Sequence, residues 1–173
     1  GRDITLPELM SAMNQLDRVS GAGVDWLTVI ESRLFDQKIQ RTLVPTEEPV
    51  AGGHIGSPFG FRIDPITGRS ALHTGLDFPA DEGTPIVAAA GGVVLSADTH
   101  PQYGQLVELD HGNGLMSLYG NNQTLLKTPG EVVKSGDTLA LVGQSGGQNA
   151  AGLYFEIRQK GSAVNPLRWL RAP

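Results

Sequence analysis

The sequence predicts a mainly β protein, an antiparallel β-sheet domain preceded by an α-helical arm. Before residue 43 apolar side chains recur at helical spacing, and beyond Gly53 short β-type runs alternate with turn signals. The 23 glycines and 11 prolines, beside a hydrophobic content of 39%, supply the backbone angles that a turn-rich body needs. A chain of 173 residues suffices for one well-buried core with an appendage and is short for two ordinary domains.

The arm is expected over residues 1–43. Thr5-Leu6-Pro7-Glu8 has the form of a capping box, with Thr5 accepting from backbone N–H groups, Glu8 reaching back and Pro7 tolerated in the first turn. Leu9, Met13 and Leu16 then recur on one face. After the weak point Gly21-Ala22-Gly23 the pattern resumes with Trp26, Val29, Ile30, Leu34 and Ile39, giving two helices or one with a break. The stripe fits packing against its own domain or a neighbouring helix. It also fits the end of a longer coiled-coil region or a regulatory arm that covers a groove until a partner displaces it.

Residues 44–54, with Val44-Pro45-Thr46-Glu47-Glu48-Pro49, suit neither helix nor central strand and are expected as a linker. The domain proper is expected over residues 55–173, with strands at 85–90, 92–97, 105–110, 115–119, 139–142 and 153–158. The clearest hairpin joins 105–110 to 115–119 through His111-Gly112-Asn113-Gly114, whose Asn-Gly step suits positive backbone angles.

Several functions are disfavoured by composition. A net charge of −5, with no run of Lys and Arg longer than a pair, gives no field for a phosphate backbone, so no nucleic-acid partner is expected. The absence of cysteine removes disulfides, thiolate catalysis and cysteine-ligated zinc. No apolar run approaches the roughly 18 residues of a membrane span. The start Gly1-Arg2-Asp3 is neither a signal peptide nor a natural-looking N-terminus, so a fragment is expected.

Three segments carry a specific resemblance. Ser57-Pro58-Phe59-Gly60-Phe61-Arg62, then Asp64-Pro65-Ile66-Thr67-Gly68, then His73-Thr74-Gly75-Leu76-Asp77-Phe78 resemble the opening of the LytM or lysostaphin-like metallopeptidase domain. The resemblance continues through 83–89, 110–114, 133–137 and 164–166. It implies a LytM-type fold and a zinc site in which His73 and Asp77 stand at the H-x-x-x-D ligand positions. Such chemistry needs a third ligand and an open position for a water whose pKa the metal lowers.

The family takes that ligand from an H-x-H strand, and here Gly152 and Tyr154 stand at the two histidine positions. A further family histidine is matched by Asn121 in Tyr119-Gly120-Asn121-Asn122. Glycine has no donor and asparagine is no base near neutral pH, so no catalytic residue is expected at Asn121 or Gly152. Tyr154 could ligate zinc as phenolate, at higher cost than an imidazole, or could pack its ring at the base of a groove with its hydroxyl bonded. His73 and Asp77 could equally persist as a hydrogen-bonded pair. His54, His100 and His111 lack ligand spacing and are expected in solvated or turn-bonding roles.

Segments 118–123, 143–148 and 153–158 look like the EnvC branch of the family. That likeness implies a non-catalytic, periplasmic or cell-envelope activator of N-acetylmuramoyl-L-alanine amidases in dividing cells, without a cofactor. The partner would be the amidase, peptidoglycan or both, and the vacated groove would bind it through Tyr154, Asn121, Tyr119 and Arg62. One departure stands out: EnvC-like proteins tend to lose the first zinc motif too, whereas His73 and Asp77 are intact here. The alternatives are a zinc endopeptidase of peptidoglycan cross-links, with Zn2+ on His73, Asp77 and Tyr154 or a water, and a passive peptidoglycan-binding module.

Overall fold

The structure is a computed structural model that describes residues 5–20, 26–63, 67–147 and 150–170. The chain divides into two compact units, Gly1–Ile39 and Gln40–Pro173.

Two helices form the first part, α1 (Leu6–Ser20) and α2 (Trp26–Thr42). At the start of α1 the Thr5 N–H donates to Glu8 Oε2 at 2.9 Å and the Thr5 hydroxyl donates to the same oxygen at 2.8 Å. The Thr5 backbone N–H holds the Glu8 carboxyl below its ordinary pKa. Leu9, Met13 and Ile30 are half-buried, whereas Leu34 and Ile39 of the expected stripe are exposed. The weak point Gly21-Ala22-Gly23 lies outside the described residues. No helix among the described residues is long and apolar enough to cross a membrane.

Among the described residues the second unit holds eleven strands: β1 (Gly60–Ile63), β2 (Ser70–His73), β3 (Leu76–Pro79), β4 (Pro85–Val87), β5 (Gly92–His100), β6 (Gly104–Asp110), β7 (Leu115–Leu125), β8 (Val132–Val133), β9 (Thr138–Val142), β10 (Gly152–Gln159) and β11 (Ser162–Val164). β1 and β2 make a separate hairpin. The other nine form one sheet along the path β11-β10-β7-β6-β5-β8, with β3 on β10, and β9 joining β4 to β7. Every ladder is antiparallel, as the short connections predict.

All six expected strands form, and β7 runs on to Leu125. The 85–90 run stops at Val87 because Ala88 turns to exchange backbone bonds with Asp137 and Gly136. β1, β2, β3, β8 and β11 are two to four residues long, too short for an alternating pattern to register. The hairpin between β6 and β7 turns as expected, with positive φ at Gly112, Asn113 and Gly114.

Residues 44–54 differ from a free linker. Glu47 N donates to Ala89 O at 3.0 Å, Val87 N donates to Pro49 O at 2.9 Å, and Val50 is buried in the core. The prolines exclude helix and regular ladder, yet their carbonyls remain free to accept, so the segment is a strap packed on the sheet. Beneath it Phe78, Tyr119 and Phe155 meet edge-on or tilted among Leu76, Ile86 and Leu153.

His111 also departs from a solvated role. Its ring is 2% exposed, with Nδ1 2.6 Å from the Gly91 carbonyl and Nε2 2.7 Å from the Ser117 hydroxyl. Burial holds its pKa below 6.5, against the opposing pull of the Gly91 bond. An unfolded ring takes a proton near 6.5 and the buried one resists it, so unfolding binds a proton below that value. Stability from this site is therefore full above pH 6.5 and falls as the pH drops through it. Urea unfolding at about pH 7.5 and about pH 5.5 should show a lower midpoint in acid, and His111→Gln should flatten that difference.

Candidate functional site

β10 pairs with three strands, and its register sets the site. Against β3, Tyr154 lies opposite Asp77 and Gly152 opposite Pro79; against β7, Tyr154 lies opposite Gly120. An open groove of about 670 Å³ runs over this junction, and its walls include Arg62, His73, Asp77, Tyr103, Gly152 and Tyr154.

His73 closes β2 and Asp77 lies in β3, separated by the tight passage through Thr74 and Gly75. A Cβ at Gly75 would stand 2.4 Å from Phe155 O and 2.9 Å from the Tyr154 ring, so only glycine lets the chain cross there. His73 Nε2 and Asp77 Oδ2 are 3.3 Å apart, and His73 Nδ1 lies 2.8 Å from Pro58 O. A carbonyl only accepts, so Nδ1 carries a proton and directs Nε2 toward Asp77.

At the third ligand position the phenol is fully engaged. Tyr154 Oη donates to Glu156 Oε2 at 2.8 Å, and the Thr74 hydroxyl, 2.7 Å away, is left to donate to it. Burial, with the Glu156 charge adding to it, pushes the tyrosine pKa up, out of the range where a phenolate forms. Glu156 is itself 1% exposed and accepts from Arg158 Nε at 2.6 Å. The site thus offers one imidazole and one carboxylate, and the third position a protonated phenol. Among the described residues no three His, Cys, Asp or Glu side chains converge as a metal-binding group.

Gly152 and Asn121 stand where the resemblance places histidines, and both are absorbed into the backbone. A Cβ at Gly152 would sit 2.9 Å from Phe78 O, so a side chain there requires β3 and β10 to move apart. Asn121, at φ 68°, donates to Gly143 O at 3.0 Å and Gly152 O at 2.9 Å, and accepts from Gly146 N at 2.7 Å. It was expected on the groove surface; instead it is 1% exposed and ties β7 to β10 and to the 143–146 turn.

Tyr119 needs the same correction. Its ring is in the core, its hydroxyl accepts from Ala89 N at 2.9 Å, and burial pushes its pKa up to about 12. Residues 117–122 of β7 are all buried, so period-two alternation does not separate core-facing from groove-facing side chains there, and the pairing with β6 shifts register between Gln105 and Val107. Arg62 does reach the groove, donating to the Ser57 hydroxyl.

One lining residue carried no sequence signal. Tyr103, in the turn after β5, stacks on Tyr154 at 5.0 Å and 12°, and on its other side against His100 at 4.8 Å and 28°. His100 Nδ1 accepts from Gln102 N at 3.1 Å, the turn-bonding role expected of it. His73 meets Tyr154 edge-on at 5.8 Å, so the four rings form a continuous series, of which His73, Tyr154 and Tyr103 line the groove.

A twisted antiparallel sheet with a groove carrying the H-x-x-x-D pair defines a LytM-type domain. The chain belongs to peptidase family M23, whose model matches residues 71–166. Murein hydrolase activator EnvC of Escherichia coli K12 is 44% identical over 130 residues, 68% of this chain and 31% of that protein. The DD-carboxypeptidase/endopeptidase Mpg of Neisseria meningitidis serogroup B is 37% identical over 120 residues, 69% of this chain and 28% of that one. A zinc-containing peptidase from Vibrio cholerae superimposes with a TM-score of 0.66 at 27% identity, covering 76% of this chain and 40% of its own. The chain thus spans under a third of the length of the two curated relatives.

The staple at Asn121 has a measurable consequence. Asn121→Ala leaves two carbonyls and one N–H without their partner and replaces a residue that tolerates positive φ by one that does so less readily, so it should cost about 2–4 kcal/mol in urea unfolding. Asn121→His, which restores the family residue, should be no milder.

Proposed function

We propose that this chain is a non-catalytic regulator of peptidoglycan hydrolysis that activates an N-acetylmuramoyl-L-alanine amidase in the periplasm or cell envelope of dividing cells. The observation that carries the reading is the Tyr154 phenol, bonded by Thr74 and Glu156 at the position of the third zinc ligand. A phenol so held is a poor ligand for zinc, because ligation requires loss of the proton that burial and Glu156 hold on it. With Asn121 spent on backbone and Gly152 without a side chain, no general base faces His73 and Asp77 from β7 or β10.

A groove relieved of catalysis keeps its shape, and its aromatic rings offer rigid anchors of the kind that dominate protein interfaces. EnvC, a murein hydrolase activator, is among the relatives, which favours the same role here. An activator works by binding the active form of its target more tightly than the inactive one, and needs no metal for that. The competing reading, a zinc endopeptidase, draws on the intact His73–Asp77 pair and on Mpg.

Calorimetric titration of zinc into metal-stripped protein should show no one-to-one binding near neutral pH, and Tyr154→His should create it. Tight binding by the unaltered chain would sink the proposal in favour of the endopeptidase. In dye-release assays with amidases of the same genome, the protein should raise activity, and Tyr154→Ala should lower that gain about ten-fold or more without loss of fold. Binding to peptidoglycan with no effect on any amidase would instead mark a passive wall-binding module.

A further inference from the structure

β1 and β2 make a two-stranded sheet with no third strand on either side. In an antiparallel pair, alternate residues turn their N–H and C=O groups away from the partner strand. Among the described residues, none of the outward groups of Gly60–Ile63 finds a backbone partner outside the hairpin. The outer edge of β1 is therefore an open row of donors and acceptors, the feature that pairs with an incoming strand.

The register Gly60↔His73, Phe61↔Leu72, Arg62↔Ala71 and Ile63↔Ser70 gives the hairpin two faces. Arg62 shares one of them with Ala71 and His73, and Phe61 shares the other with Ile63 and Leu72, which also borders the groove. Phe61 is 79% exposed, Ile63 75% and Leu72 47%. Single exposed apolar residues are ordinary, but three neighbours on one face leave most of the apolar surface of this small sheet in water. Between Phe61 and Ile63 stands Arg62, whose guanidinium donates to the neutral Ser57 hydroxyl and has no ion pair among the described residues.

Three kinds of occupant could cover such an edge, and their chemistry separates them. A bilayer would bury the outward N–H and C=O groups where they find no partner, and anionic lipid repels a chain of net charge −5. A second copy paired edge to edge about Arg62 would set two guanidiniums opposite each other. A stable dimer also needs about 1,200 Å² or more of buried surface, beyond what a four-residue edge supplies. An extended segment of another protein avoids each difficulty. Its backbone satisfies the edge, an acidic residue opposite Arg62 takes the unused donors of the guanidinium fork, and apolar residues on either side of that acid lie beside Phe61 and Ile63.

We propose that the outer edge of β1 is a strand-addition site for an extended protein segment in which an acidic residue stands between two β-branched or aromatic ones. The backbone edge pairs with any strand, and Arg62 with its two apolar neighbours supplies the selection. The site lies on a different element from Tyr154 and holds whether or not the groove serves an amidase.

The test uses the full chain and a fluorescein-labelled, end-blocked peptide, Thr-Ser-Val-Glu-Val-Ser-Thr, read by fluorescence anisotropy. Binding should saturate, and a peptide with Lys in place of Glu should bind about ten-fold more weakly. Arg62→Glu should reverse that preference. Phe61→Ser combined with Ile63→Ser should weaken binding about ten-fold, with no change in melting temperature because both side chains are exposed. N-methylation along the peptide should abolish binding at alternate amides and be tolerated at those between, as pairing through one strand edge requires.

No saturable binding up to about 1 mM peptide overturns the proposal. Equal binding of the Glu and Lys peptides overturns it as well, since Arg62 then selects nothing. Tolerance of N-methylation at every amide would show docking by side chains alone, which is a third contrary result. Sedimentation with vesicles of phosphatidylglycerol and phosphatidylethanolamine, lost on Phe61→Ser with Ile63→Ser, would assign the face to lipid. A concentration-dependent dimer lost in the same variant would assign it to a second copy, and either assignment replaces the strand.

Discussion

The carboxylate of Glu156 lies 1% exposed on a strand that pairs with three others, and the groove is arranged by how its charge is met. One oxygen takes Arg158 and the other takes Tyr154. Losing the charged partner of such a buried group costs about 3–5 kcal/mol, and losing the neutral phenol donor costs less, about 1–3 kcal/mol. That bond fixes the Tyr154 ring, and the ring in turn orders Tyr103, His100 and the edge of His73. The side chain at the third ligand position is therefore committed to the interior of the sheet before any ligand arrives.

At the two positions where the resemblance places histidines, the backbone as much as the side chain departs from what an imidazole needs. At Gly152 the two strands are close enough that a β-carbon meets Phe78 O. At Asn121 the amide reaches two carbonyls and one N–H that an imidazole, with two nitrogens, cannot serve together. These are packing solutions that do not accommodate an imidazole. Tyr154 differs, because its neighbours Thr74 and Glu156 would suit an imidazole donor as well as a phenol. Of the departures from the family pattern, only this one looks reversible by a single substitution.

The sheet was legible where strands were long enough to show a pattern, and His73, Asp77, Tyr154 and Arg62 were legible because short motifs placed them. What failed had physical causes. Tyr119 and Asn121 follow Leu118 in a run of β7 that is buried throughout, where period-two reasoning cannot separate the two faces. The 44–54 strap has the composition of a linker because proline excludes regular structure; composition does not report whether its carbonyls find donors. Tyr103 enters the groove only through stacking in three dimensions, and His111 is buried only because the strand ends around it close.

Membership of a peptidase family and retention of two of the ligand positions the resemblance gives do not by themselves make a zinc site, which needs a third donor. His73 Nδ1 is tied to Pro58 O and Nε2 faces Asp77 at 3.3 Å, so the pair joins the end of β2 to β3 as a structural contact in its own right. Selection for catalysis would act on all the ligands together, since a two-ligand site holds zinc poorly. A pair held by such contacts persists whatever stands at Asn121 and Gly152, which bond to each other instead.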